Sequence, residues 1–310
     1  MITLDNIDMA ILHEIMANCR ASYRTIAKKT GLSPNAAKNR VVKIVESGAI
    51  TRFVVKLRTE AAGAGCFLGF IRTDGTEGIR DFAAHIGENP MVFHVSELLC
   101  ATGGAYIIAG EHPSSDMLAE LESDLNDLDE VHAVEFHTMD TPDVEKGCTV
   151  QFSRVQLKVL KCLMRDPRMQ IAEIAEMTGM ASKTVRRALR ELIDSGSVSF
   201  TASIDPPAGG IVDIFVRMTW NDEMISLDEL TDWLRNEYPD EFWFPWTSES
   251  ERTLIADFFV GSLLDAERIS IRIRESPFVT SSTLLVSLAA AKFPYYSEMK
   301  LKEILEDVCI

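Results

Sequence analysis

One stretch of this chain occurs twice. Residues 4–57 lie on residues 152–205 without a gap, at a constant offset of 148. Leu12 falls on Leu160, Met16 on Met164, Arg20 on Arg168, Ile26-Ala27 on Ile174-Ala175, Thr30-Gly31 on Thr178-Gly179, and Ser47-Gly48 on Ser195-Gly196. The pairs Ile11/Val159, Ile15/Leu163, Val41/Leu189, Ile44/Leu192 and Ile50/Val198 keep one apolar frame. A single register held over so many residues marks an internal duplication, and it restricts the chain to folds built from two related halves.

Each copy reads as three helices and a strand. Ile7, Ile11, Leu12 and Ile15 recur at helical spacing after Asp5. Ser22 is placed to cap a short helix that Gly31 stops. Ser33-Pro34 restarts the chain, serine as cap and proline where no N–H is needed, and Gly48 ends this third helix. Helix, glycine-containing turn, helix is the helix-turn-helix plan. Ile50 to Leu57 alternates apolar and basic residues, as expected of a wing strand with a positive outer face.

The third helix carries the informative chemistry. With Ala37, Val41 and Ile44 turned inward, Asn35, Asn39 and Lys43 point outward, flanked by Lys38 and Arg40. In the second copy Val185, Leu189 and Leu192 turn inward, leaving Lys183, Arg187 and Arg190 outward and Arg186 on the flank. Lys and Arg neutralise phosphates or reach guanine, and Asn pairs with the adenine edge, so both faces suit the major groove. The expected DNA-contacting set is Ser22, Tyr23, Arg24, Ser33, Asn35, Lys38, Asn39, Arg40 and Lys43 in the first reader. In the second it is Lys183, Thr184, Arg186, Arg187 and Arg190.

Charge is distributed accordingly. The chain carries a net −16, yet residues 1–58 hold 10 Lys+Arg against 4 Asp+Glu, and residues 152–204 hold 9 against 5. The rest holds 12 against 38. Two basic islands in an acidic body let the protein approach a phosphate backbone by those faces alone.

After each reader the pattern changes. Strands are expected at Cys66–Arg72, Met91–Leu98, Ala105–Gly110 and Val131–Met139, with helices at about 76–88 and 114–127. The order β-α-β-β-α-β is the ferredoxin-like plan. It recurs less clearly as strands Ile211–Trp220, Phe242–Trp246, Thr253–Val260 and Phe278–Leu288 with helices at about 227–237 and 262–275. The fold class is therefore α+β, two winged helix-turn-helix domains (1–60 and 148–206) alternating with two βαββαβ domains (61–147 and 207–310). Ala289–Ile310, with Phe293-Pro294-Tyr295-Tyr296, forms a closing helix assigned with the last domain, and Thr141-Pro142-Asp143 to Lys146-Gly147 separates the halves.

This organisation resembles the Lrp/AsnC (feast/famine) family of regulators. Leu4-Asp5-Asn6-Ile7-Asp8, Ser22-Tyr23-Arg24-Thr25-Ile26-Ala27, Gly31-Leu32-Ser33-Pro34 and Glu46-Ser47-Gly48-Ala49-Ile50 follow its N-terminal pattern closely. The second copy departs from it, with Ala181-Ser182 in place of Ser-Pro and Gln156 in place of the early Asp. The resemblance implies RAM/ACT-like βαββαβ domains that pair, double-stranded DNA as partner, and a small effector such as an amino acid. The family's effector loop matches Thr102-Gly103-Gly104-Ala105-Tyr106, though the usual nearby acidic residue is missing, so Thr102, Gly103, Gly104 and Tyr106 are the expected effector residues. A plain hairpin turn explains Gly103-Gly104 equally well. Thr247-Ser248-Glu249-Ser250-Glu251 occupies the second loop without glycine.

With both parts in one chain, an intramolecular pseudo-dimer is expected, with whole chains associating further. Its readers would address unlike half-sites about 34–36 Å apart or a multiple of that. His94, His132 and His137 with nearby Cys100 lack a tight metal motif, and no cofactor is implied. The six cysteines form no C-x-x-C pair, as in reduced cytoplasmic proteins. Neither a secretion signal nor an apolar run of about eighteen residues is present, so no membrane partner is expected. G-x-G-x-x-G, P-loop, H-E-x-x-H and G-x-S-x-G are all absent, and no enzyme activity is expected. Two alternatives stay open: a tandem sirohaem decarboxylase, whose plan is the same, and a protein-interaction module that has lost DNA binding.

Overall fold

The computed structural model describes residues 4–100, 102–139, 151–248 and 252–310. The linker 141–147, Cys148 and Glu249–Glu251 lie outside these. The chain divides into two units, each drawn from both halves of the sequence.

The first unit holds the readers. One reader is α1 (Asn6–Ala17), α2 (Tyr23–Thr30), α3 (Pro34–Glu46) and β1 (Ile50–Leu57). Its core is the predicted stripe: Ile11, Leu12, Ile15, Ile26, Ala37, Val41 and Ile44 are buried. Ser22 Oγ accepts from the Thr25 N–H and Ser33 Oγ from the Ala36 N–H, so both caps form, and Gly31 stops α2 in the left-handed conformation at φ 69°. The other reader is the helices Arg154–Leu163, Ile171–Thr178 and Ser182–Asp194 with the strand Val198–Ile204. Ala181, which stands at the cap before Ser182, makes no side-chain hydrogen bond.

The strand expected as a wing does something else. β1 pairs antiparallel with Val198–Ile204 of the other reader, Val54 opposite Thr201, so the readers are joined by a two-stranded sheet. Its basic side chains are occupied within the unit. Arg52 donates to Glu298 Oε1 at 2.7 Å and Lys56 lies 4.0 Å over the Tyr295 ring. Both partners belong to the C-terminal segment, whose helix Tyr296–Ile304 packs on β1 rather than with the βαββαβ segment it follows in sequence. Val54 is buried on the face it shares with Arg52 and Lys56, and the helix covers that face.

The duplicated arginines close the reader pair. Arg20 donates to the carbonyls of Pro167 and Met169, and Arg168 to the carbonyl of Cys19. Arg168 also stacks 5.2 Å from the rings of Tyr23 and Phe53. Cys19, buried at this junction, has its thiol pushed up to about 11 by desolvation, against the nearby arginines, so it is an inert core thiol.

The second unit is one eight-stranded sheet. In chain order its strands are β2 (Gly65–Thr73), β3 (Val92–Leu98), β4 (Gly104–His112), β5 (Val131–Met139), then, after β6 (the Val198–Ile204 strand), β7 (Val212–Trp220), β8 (Phe242–Ser248), β9 (Thr253–Val260) and β10 (Val279–Lys292). Each half has the ferredoxin-like order, and the halves join through β3 and β10 into β5-β2-β4-β3-β10-β7-β9-β8. β10 runs four residues beyond the expected Leu288, and that extension lengthens the seam: Ser287 pairs with Leu98, and Ala290, Ala291 and Lys292 pair with Ser96, Val95 and His94. The outer strands β5 and β8 also touch each other, and Arg217 on β7 grips Glu135 on β5 with two hydrogen bonds, at 2.6 and 3.0 Å.

Helices cover one face of this sheet. In chain order the helices after α3 are α4 (Ile79–Gly87) and α5 (Ser115–Asn126), then α6, α7 and α8 of the second reader, and finally α9 (Leu227–Glu237), α10 (Leu263–Arg274) and the C-terminal α11. α4 and α5 cover the first half with Phe82, Ile86, Leu118, Leu121 and Leu125; α9 and α10 cover the second with Leu230, Leu234, Ile269 and Ile273. The opposite face buries Leu68, Ile107, Phe215 and Ile255 together with charge. Asp213 is buried there beside the half-buried Asp257 and Lys292, and Lys292 Nζ contacts His94 Nδ1.

Burial raises the Asp213 carboxyl to about 6, against the attraction of Lys292, and raises Asp257 well above its ordinary value, with the Asp213 charge adding to the effect. The folded state therefore holds these protons more tightly than the unfolded chain does. The stability they contribute is full below the unfolded carboxylate value of about 4 and is lost as pH rises through the folded values. Asp257→Asn, a mimic of the protonated acid, is expected to raise the melting temperature at neutral pH and flatten its fall with pH. A pH series of thermal melts checks this. No change in the pH dependence would mean that these acids are ionised in the fold.

Candidate nucleic-acid interface

The outward stripe of α3 differs from the one read in the sequence, whereas that of α8 shows the same four cations. The exposed positions of α3 include Asn35, Lys38, Asn39 and Val42, and those of α8 include Lys183, Arg186, Arg187 and Arg190. These are the same four places at the offset of 148. One reader offers a single cation there and the other offers four.

Arg40 and Lys43, expected to touch DNA, are held elsewhere. Asp8 on α1 is fully buried, and Arg40 Nη1 reaches its Oδ1 at 2.7 Å while Lys43 Nζ reaches its Oδ2 at 3.0 Å. A buried carboxylate must be paired, so these two cations stabilise the α1–α3 packing. The second copy has Gln156, Ala188 and Glu191 at the three positions. There Gln156 completes a capping box with Ser153, and Glu191 forms an exposed pair with Arg187 at 3.4 Å.

The remaining expected residues divide in the same way. Ser22 and Ser33 spend their hydroxyls on helix caps. Tyr23 is half-buried under Arg168, whereas Arg24 is exposed; Thr184 is half-buried in the first turn of α8. Neither α3 nor α8 has an acidic residue in its first turn, which leaves both helix N-termini open to an anion.

The expected effector loop packs on the β2–α4 connection. Gly103 sits at φ 66°, and a Cβ there would come within 2.4 Å of the Thr73 carbonyl oxygen. A Cβ at Gly104 would lie 2.3 Å from both Thr73 Oγ1 and Glu77 Oε1. Both glycines thus serve the close approach of two segments. Thr102 is exposed, while Tyr106 is buried and donates to Glu77 Oε1 at 2.8 Å. Thr73 Oγ1 donates to the same oxygen at 2.6 Å, and Glu77 Oε2 is buried with no hydrogen-bond partner among the described residues.

An acidic side chain thus reaches the loop from 29 residues upstream of Tyr106. No local motif announces Glu77; only the β2–β4 register brings it near Tyr106. Burial opposes its ionisation, yet the bonds from Thr73 and Tyr106 hold its carboxyl below the usual value. The Tyr106 hydroxyl is correspondingly pushed up by burial and by Glu77. Gly103→Val is expected to destabilise the fold by about 1–3 kcal/mol, through positive φ and the Thr73 clash, measured by chemical denaturation.

His94 is packed on Lys292, His137 is buried edge-on to Phe70, and His132 is exposed. The described residues contain no cluster of three or more His, Cys, Asp or Glu placed to hold a metal, and no helix long and apolar enough to cross a membrane.

Paired helix-turn-helix readers carried with a double βαββαβ sheet define a class of two-reader protein. Residues 4–44 match the AsnC-type helix-turn-helix domain, and residues 152–198 match the winged helix-turn-helix DNA-binding domain. An HTH-type transcriptional regulator of Pyrococcus abyssi is 32% identical over 112 residues, 35% of this chain and 67% of that one. The regulatory protein AsnC of Escherichia coli K12 is 30% identical over 102 residues, 32% of this chain. That match spans 64% of the AsnC length. The crystal structure of the siroheme decarboxylase NirDL shares the fold along 97% of this chain and 98% of its own, with TM-score 0.54 and 15% identity. The chain belongs to the Lrp/AsnC family, with the helix-turn-helix unit present twice.

Proposed function

We propose that the protein is a DNA-binding transcription regulator that sets two unequal readers on one site from a single chain. The exposed Lys183, Arg186, Arg187 and Arg190 on a helix with an acid-free N-terminus carry this reading. In a chain of net charge −16, four cations on one helix face are matched to a polyanion. The second reader grips phosphate; the first, with Asn35 and Asn39 outward, reads base edges. A salt series of duplex binding tests this. Affinity made by several cations falls steeply with salt, whereas a flat dependence would favour a protein-interaction module.

An amino-acid effector fits the neighbourhood of Thr102, Gly103, Gly104 and Tyr106, because the unpartnered Glu77 oxygen accepts from an ammonium group. Glu77→Gln keeps the shape, and it is expected to abolish heat of binding for an amino acid while duplex affinity stays the same.

A second reading follows from the match along nearly the whole chain to a protein named as a siroheme decarboxylase. On that reading the double sheet acts on a tetrapyrrole. Mixing the protein with an iron porphyrin decides between them: the regulator reading expects no Soret shift.

A further inference from the structure

The helices α5 and α10 are duplicates that have parted company on their outer faces. Ser114 and Ser262 cap them in the same way, each accepting from the backbone N–H three residues on. Leu118, Leu121 and Leu125 are buried in α5, and Ala266, Ile269 and Ile273 are buried at the same places in α10. The solvent side of α5 presents Asp116, Glu120, Ser123 and Asp124, an ordinary solvated face. The same four positions of α10 are Leu264, Arg268, Ile271 and Arg272, all exposed. Leu264 is 74% exposed, Leu263 57% and Ile271 45%. Large aliphatic side chains gathered on one helix face are costly to hydrate, and they mark an interaction surface when charges of both signs border them.

We infer that this face of α10 binds the same face of a second copy of the chain, antiparallel and about a two-fold axis. The face is complementary to itself. An axis passing between Glu267 and Arg268 sets Leu264 against Ile271 of the second copy, and Glu267 against Arg268 of the second copy, each pairing made twice. Glu267 is exposed and forms no ion pair among the described residues. Arg268 reaches only Asp265 at 3.3 Å and Glu241 at 3.7 Å, and Arg272 reaches Glu237 at 3.2 Å. Pairs this exposed contribute little and exchange readily for intermolecular ones. A face with apolar ends and one acid beside one base at its centre matches itself better than it matches α5, which carries no base and only Met117 as a large apolar residue in the open.

Sedimentation velocity on the full chain over a concentration series tests this. A self-association step is expected, and Leu264→Asp/Ile271→Asp should weaken it by about tenfold or more while circular dichroism is unchanged. Glu267→Arg alone and Arg268→Glu alone should each weaken it, and the double exchange Glu267→Arg/Arg268→Glu should restore it. Three results would overturn the inference: no association at any concentration, association indifferent to Leu264→Asp/Ile271→Asp, or a double exchange as weak as either single change. Rescue of Arg268→Glu by Glu120→Arg instead would also overturn it, by placing α5 on this face.

Discussion

Replacing Lys183, Arg186, Arg187 and Arg190 together by alanine is expected to lower duplex affinity by about two to three orders of magnitude at physiological salt. The same change should flatten the plot of log affinity against log salt by about three to four units, close to one for each phosphate left without its cation. All four side chains are exposed, so the fold has no part in the weakening. Asn35→Ala/Asn39→Ala should behave differently: the salt slope stays, and preference among sequences relaxes by about 1–3 kcal/mol at the bases those residues read. Equal salt slopes for the two variants would contradict the division of labour between the readers.

Asp8→Ala is expected to destabilise the protein by about 3 kcal/mol, because it leaves Arg40 and Lys43 side by side without their shared carboxylate. At about 2–4 °C per kcal/mol for a domain of this size, the melting temperature should fall visibly. Duplex binding by the folded fraction should change little. The duplication supplies its own control. Asp8→Gln/Arg40→Ala/Lys43→Glu converts the trio into the one found in the second reader, and it should recover most of the stability that Asp8→Ala removes. If the triple change is as unstable as the single one, the trio is not an exchangeable unit.

That trio also explains how far the sequence can be read. The helices and core of both readers, and the caps of the first, follow from apolar period and from Ser22, Ser33, Gly31 and Gly179, because these act locally. The availability of a cation does not act locally. By count the first basic island is the richer, 10 Lys+Arg against 9, yet Arg40, Lys43, Arg52 and Lys56 are occupied within the fold. A signal is present: Asp8, Arg40 and Lys43 change together to Gln156, Ala188 and Glu191 between copies, as paired residues should. The wing misleads for a related reason. Alternation in Ile50–Leu57 fixes which side chains share a face but says nothing about what covers that face, and the cover comes from Tyr295 and Glu298 far along the chain. The seam strand outruns its expected end because Ala289–Lys292 has little strand propensity of its own and pairs only because the β3 edge is there to receive it. Glu77 escapes a local reading because its partner Tyr106 lies on a strand reached only through the sheet register.

Selection from random duplexes with the intact protein measures the central claim most directly. Two unequal readers predict an asymmetric consensus, with one half-site sharply specified under Asn35 and Asn39 and the other loosely specified under Lys183, Arg186, Arg187 and Arg190. A perfectly palindromic consensus, or no enrichment at all, would contradict it.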